Sequence, residues 1–138
     1  PFILKGIMNA KSALAAVEAG ADAIVVSNHG GRVMDTMPGT AEVLPEVVNA
    51  VAGRVKVLVD GGIREGIDIL KMLALGADAV MIGRPICIAA FGGAQEGVEF
   101  YLDQKRSELK KAMILTGCPS IKYIDPSVIV RDSKGQLR

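Results

Sequence analysis

An α/β fold built on parallel strands is what this sequence predicts, on three observations. Four short apolar runs rich in β-branched residues alternate with stretches of helical periodicity. The linker Gly20-Ala21-Asp22-Ala23, ahead of Ile24-Val25-Val26, returns as Gly76-Ala77-Asp78-Ala79 ahead of Val80-Met81-Ile82. Such a repeated helix stop joined to a strand start marks βα units with right-handed crossovers. Third, the chemically distinctive residues all fall just after the apolar runs.

The elements follow in order. Phe2-Ile3-Leu4 is the first strand, ending at Lys5-Gly6, and Asn9 caps a helix to Ala19 that Gly20 stops. Ala23 to Val26 is the second strand. A helix from about Ala41 to Ala52 stops at Gly53, with Pro45 tolerable only near its first turn. Val55 to Val59 is the third strand, ending at Asp60-Gly61-Gly62, and a helix from about Gly66 to Leu75 stops at Gly76. Ala79 to Ile82 is the fourth, ending at Gly83-Arg84-Pro85. A longer helix, roughly Val98 to Thr116, carries Asp103, Lys105, Arg106, Glu108, Lys110 and Lys111 on a face expected to be solvated. The tail from Ser120 to Arg138 is ambiguous and ends polar. The strands are expected to be buried on both faces.

Distinctive residues at strand C-termini favour a (β/α)8 barrel over a doubly wound sheet, because barrels build their sites on that face. A complete barrel needs about 200 residues or more. The 138 residues are therefore expected to form a single domain, 1–138, that is half a barrel: four βα units plus a C-terminal tail. The start at Pro1-Phe2, without a methionine, fits a piece of a longer chain. Open parallel edges call for a complementary half or a second copy as partner.

Composition excludes several classes. With 50% apolar residues the chain can bury a core, and a net charge of +1 without a basic stripe argues against nucleic acid. No apolar stretch approaches the ~18 residues of a membrane span, and no signal peptide with a basic start and a cleavage site is expected. Cys87 and Cys118 lack disulfide or metal spacing, so reduced thiols in a cytoplasmic setting are expected.

Chemistry concentrates in four motifs. Lys5 ends the first strand, either as a surface lysine or as an ammonium in the barrel mouth that stabilises developing negative charge. Ser27-Asn28-His29-Gly30-Gly31-Arg32 follows the second strand and holds the only histidine. A lone histidine is more often structural than catalytic. Here Gly30-Gly31 permits close approach of a flat ligand, and Arg32 is the residue type that grips a carboxylate with two bonds. Asp60-Gly61-Gly62-Ile63-Arg64 and Gly83-Arg84 follow the third and fourth strands. Backbone N–H groups freed by glycine at a helix start form a nest for phosphate, and two such loops after consecutive strands match the barrel phosphate site after strands seven and eight. Asp60 is either an acceptor for a cofactor hydroxyl or a cap on its own loop.

Phe2-Ile3-Leu4-Lys5-Gly6, Ser27 to Arg32, Asp60 to Arg64 and Gly83-Arg84-Pro85 together resemble the FMN-dependent α-hydroxy acid dehydrogenase/oxidase family, from Pro1 to about Ile129. The resemblance implies the C-terminal half (strands 5–8) of a TIM barrel, with FMN as cofactor. It implies Lys5 beside flavin N1, Ser27 at the isoalloxazine, His29 as active-site base and Arg32 on the substrate carboxylate. Asp60, Gly61, Gly62 and Arg64 then lie at the ribityl chain and phosphate, and Gly83 and Arg84 complete the phosphate site. Val33-Met34-Asp35 stands where better-known members have Gln-Leu-Asp, so the substrate-side lining departs from theirs.

The activity implied is oxidation of a small L-2-hydroxy acid, such as lactate or glycolate, to the 2-oxo acid, in a protein expected to be a homo-oligomer. The resemblance leaves open whether His29 takes the proton from the hydroxyl or from the α-carbon. Two rivals stand beside it. One is an FMN barrel of the type 2 isopentenyl diphosphate isomerase kind, which has no use for a base-plus-arginine pair. The other is a silent half-barrel that binds only phosphate or FMN, the behaviour expected of the isolated 138 residues.

Overall fold

The structure, a computed structural model, describes residues 1–130 and 132. Four parallel strands run β1 (Ile3–Ile7), β2 (Ala23–Val26), β3 (Lys56–Val59) and β4 (Ala79–Val80), side by side in sequence order. Between and after them lie α1 (Ala10–Glu18), α2 (Thr40–Val51), α3 (Gly66–Ala74) and α4 (Arg84–Leu115). The βα alternation expected from the sequence is therefore present. The part of the tail at 131 and 133–138 lies outside the described residues, and the part before it forms two 3₁₀ turns, Ile121–Tyr123 and Pro126–Val128.

Local chemistry explains most boundaries. Asn9 accepts a hydrogen bond from the Ser12 N–H at 2.8 Å and so caps α1, while Gly20 ends it at φ +84°. The repeated Gly-Ala-Asp-Ala linker has a structural reason. In the first copy, Phe2 N–H donates to Asp22 Oδ2 and Asp22 N–H donates to Phe2 O. In the second copy, Val57 N–H donates to Asp78 Oδ2 at 2.9 Å and Asp78 N–H donates to Val57 O at 2.8 Å. Each aspartate thus pins the start of the preceding parallel strand with a reciprocal pair of bonds. Burial raises the Asp78 pKa, but the Lys56 ammonium and the Val57 N–H outweigh it and leave the carboxyl below its ordinary value.

Three expectations are corrected. Pro45 sits in the sixth position of α2, past the first turn, where it removes the bond to the Ala41 carbonyl. Burial of Leu44, Val47 and Val51 on the same helix holds it together regardless. The last helix is longer than expected: α4 begins at Arg84 and breaks at Gly93 (φ −153°) and Ala94 (φ 47°), and only its part after the break matches the helix expected near Val98. Pro85, in the first turn after Gly83, was the signal for that early start.

The third correction concerns the sheet. Ile24, Val26, Val57 and Val59 alternate onto one face and join the α-helical core with Leu44, Val47 and Val51. The opposite face carries Ile3, 49% exposed, Lys5, the half-buried Leu58 and Met81, 38% exposed. Burial on both faces holds for β2, whose Ala23 and Val25 are also buried, and fails on β1 and beside β4, where no described element covers the other face.

Candidate active site

The bare face leads directly to the site. At Gly6 (φ +101°) the β1–β2 register slips by one residue, so Lys5 pairs with Val25 but Ile7 pairs with Val26. Glycine supplies the left-handed conformation such a bulge requires. Lys5 Nζ reaches along this face to the tops of β2 and β3, donating to Ser27 Oγ at 2.6 Å and pairing with Asp60 Oδ2 at 2.8 Å. Asp60 Oδ1 is buried without a protein partner.

After β2 the chain makes a left-handed turn. His29 (φ 57°), Gly30 (φ 70°) and Gly31 (φ 73°) are consecutive residues in a region costing roughly 1–2 kcal/mol per side chain. Glycine removes that cost at two positions, and the histidine carries it. Ser27 Oγ accepts the His29 N–H at 3.1 Å, and Asn28 Oδ1 accepts the Gly30 N–H at 3.1 Å. The turn exposes the His29 side chain. The Arg84 guanidinium, arriving from the start of α4, lies so near Gly30 that a Cβ there would sit 3.3 Å from its Nη2.

One cleft of about 320 Å³ is lined by Lys5, His29, Arg32, Arg64 and Arg84 together with the turns at Gly61-Gly62 and Gly83. Lys5, Arg32, Arg64 and Arg84 face a single lining carboxylate, Asp60. Among the described residues no hydrogen bond or ion pair engages the His29, Arg32 or Arg84 side chains. An uncompensated set of cations in a cleft is an anion site. Of the residues singled out from the sequence, Lys5, His29, Gly30, Arg32, Asp60, Gly61, Gly62, Arg64, Gly83 and Arg84 line this cleft; Gly31 does not, and Ser27 lies beneath it, 2% exposed, as the acceptor for Lys5.

One positioning residue, Thr40, escaped the sequence reading, whereas Asn28 was expected to fix its loop. Thr40 is buried and donates from Oγ1 to the Asp60 carbonyl at 2.6 Å. It also stands where a Cβ on Gly61 would come within 2.9 Å of its hydroxyl, so the Asp60-Gly61 turn is seated on the first residue of α2. Asn28 donates to the Pro38 carbonyl at 3.2 Å and closes the 28–38 loop. A threonine one residue into a helix looks like an ordinary helix start, and its reach to the next strand's loop depends on tertiary packing.

The solvated face expected on α4 holds at Asp103, Arg106, Lys110 and Lys111 and is corrected at Lys105 and Glu108. Lys105 is 7% exposed and Glu108 half-buried, and the two pair at 2.7 Å. Lys105 also donates to the Arg64 carbonyl at 3.0 Å, and Glu108 Oε2 accepts the Gly66 N–H at 2.7 Å. The Lys105 hydrogen bond, helped by the Gly66 N–H and opposed by partial burial, holds the Glu108 carboxyl below its ordinary pKa.

Comparison with known proteins places the chain in a family. The family model described as FMN-dependent dehydrogenase matches residues 1–131. A peroxisomal (S)-2-hydroxyacid oxidase of Arabidopsis thaliana is 51% identical over 124 residues, 90% of this chain and 34% of that protein. An L-lactate oxidase of Lactobacillus jensenii is 50% identical over 124 residues, 90% of this chain and 30% of that protein. The crystal structure of mandelate oxidase with 3,3-difluoro-2-hydroxy-3-phenylpropionic acid superposes with a TM-score of 0.88 at 48% identity, covering 91% of this chain and 38% of that one. The chain thus spans about a third of the length of the relatives it matches, less than the half expected from an even division of a barrel.

Proposed function

Because the chain belongs to the FMN-dependent dehydrogenase family, we propose that its cationic cleft serves the oxidation of a small L-2-hydroxy acid to the 2-oxo acid. The observation that carries this reading is the convergence of Lys5, His29, Arg32, Gly61 and Gly83 on one rim. Bound FMN supplies an acceptor for two electrons. The residues present fit such a group. The cleft is cationic, Gly62 and Gly83 leave open space where a Cβ would stand, and the buried Asp60 Oδ1 has an acceptor position to offer a hydroxyl.

Gly61, Gly62, Arg64, Gly83 and Arg84 would hold the phosphate and its linking chain, with Lys5 and Ser27 at the ring. Lys5, fixed between Ser27 and Asp60, presents positive charge where the ring gains electron density. Arg32 grips the substrate carboxylate, and His29, held outward by its left-handed turn, takes the substrate proton. In a completed barrel, Arg32→Ala should weaken the transition state by about 2–4 kcal/mol, lowering kcat/KM far more than FMN affinity. Equal losses in both would count against the assignment. His29→Asn should abolish flavin reduction by lactate, glycolate or mandelate with FMN still bound.

The bare sheet face and the two open edges support a second statement: the 138 residues alone turn over no hydroxy acid. The adjacent glycine turns after β3 and β4 suit the loops after strands seven and eight of a barrel phosphate site, which would make these strands 5–8. A segment supplying four further βα units, joined ahead of Pro1, should then tighten FMN binding and restore turnover. Restoration only when that segment follows the chain would assign these strands to the first half instead. Homo-oligomer formation is proposed for the completed protein, to be read by sedimentation. No described helix is long and apolar enough to cross a membrane. Cytoplasmic location is the proposed reading, and import of the tagged protein into peroxisomes would overturn it.

A further inference from the structure

We propose that Lys105 and Glu108 are positioning residues for the cofactor loop, a clamp on α4 that holds Arg64–Gly66 in the shape that keeps Arg64 at the cleft. The inference rests on the cleft being the FMN site.

The loop between β3 and α3 has little of its own to hold it. Its side of the bargain is met by two carboxylates and one ammonium. Asp68 Oδ2, in the first turn of α3, accepts the Arg64 N–H at 2.9 Å and the Glu65 N–H at 3.0 Å. The remaining exposed groups are taken from outside: Lys105 Nζ caps the Arg64 carbonyl, and Glu108 Oε2 takes the Gly66 N–H. Lys105 is itself fixed by both Glu108 oxygens at 2.7 Å and by the Tyr101 ring, 5.3 Å from its nitrogen. Contact at Gly66 is backbone against backbone, since a Cβ there would stand 2.2 Å from the Leu109 nitrogen. Glycine is required at Gly66 by that approach, and the approach is what puts Glu108 within reach.

The clamp also determines where an anion cannot go. Glu108 occupies the first free N–H of α3 with a negative charge, the group a helix N-terminus would otherwise offer a phosphate. Arg64 lines the cleft with its Nη1 donating to the Ile63 carbonyl at 2.9 Å, while its own carbonyl is tied behind it by Lys105. A lysine and a glutamate 41 and 42 residues downstream thus act on the cleft without touching it.

The test uses the full chain with amide hydrogen exchange and FMN fluorescence quenching as separate readouts. Lys105→Met and Glu108→Gln should speed exchange at Arg64–Gly66 by about tenfold or more, since each removes a hydrogen bond to a charged group. Exchange at Ile24–Val26 should stay as it was, Lys105→Arg should keep exchange within about twofold, and FMN affinity should fall about tenfold in the two disruptive variants. Lowering the pH should open the same amides as Glu108 protonates, a transition that Glu108→Gln lacks. Unchanged exchange at Arg64–Gly66, faster exchange throughout the strands, or local loosening with FMN affinity intact would each overturn the proposal. Failure of the parent reading shows separately, as no FMN binding by the unaltered chain, while the exchange pattern still decides whether the clamp exists.

Discussion

The two faces of one short sheet have been put to opposite uses. Toward the helices, Ile24, Val26 and Val59 are wholly buried and interlock with Leu44, Val47 and Val51. On the other face, β1 carries Lys5, joined to Ser27 after β2 by a hydrogen bond and to Asp60 after β3 by an ion pair. The first face supplies stability through apolar area removed from water. The second spends little on stability: the Lys5–Asp60 pair is partly solvated, with 37% and 19% of the two side chains exposed. A rigid apolar backing holds charged groups in place that could not order themselves.

The largest effect should come from breaking the sealed face. Leu44→Ala should cost about 2–5 kcal/mol in urea unfolding, the range for a fully buried leucine, and a loss under 1 kcal/mol would mean the face is less tightly packed than described. Val26→Ala should cost about 2 kcal/mol, while Ile3→Ala, on the bare face, should stay within about 0.5 kcal/mol. Equal losses at these two positions would show that the bare face is covered in solution. Asp60→Asn sharpens the contrast from the other side. It should change stability by less than about 1 kcal/mol yet free Lys5, measured as a changed Lys5 side-chain environment by NMR.

The smallest effect is a pH dependence. The folded Glu108 pKa is depressed, so the unfolded chain binds the proton more readily. Its stabilisation is therefore complete above the unfolded glutamate value of about 4.3 and is lost as pH falls through the lower folded value. Acid unfolding of Glu108→Gln should lack that component, and an identical acid profile would remove the clamp from the account.

Much of this was legible beforehand, for reasons that differ by residue. The helix stop at Gly20 and the cap at Asn9 are local, set by backbone conformation and a side chain three residues away. The motifs at Ser27–Arg32, Asp60–Arg64 and Gly83-Arg84 were visible because glycine beside charge is rare in a core and common where a ligand meets the backbone. Thr40 and the Lys105–Glu108 pair were not visible. Their partners, the Asp60 carbonyl, the Arg64 carbonyl and the Gly66 N–H, lie 20, 41 and 42 residues away, and no local pattern encodes a contact with a backbone atom at that distance.

By itself the sequence determined the order of strands and helices, the turns that end them and the identity of the groups at the strand tips, because each follows from hydrophobic period and from glycine's freedom within a few residues. Tertiary structure decided which sheet face was sealed, how far Lys5 reached, and that a charged stretch of α4 turned inward to hold a loop. Those outcomes depend on which surfaces meet across the fold, and a buried charge is tolerated only where a partner has already been brought to it.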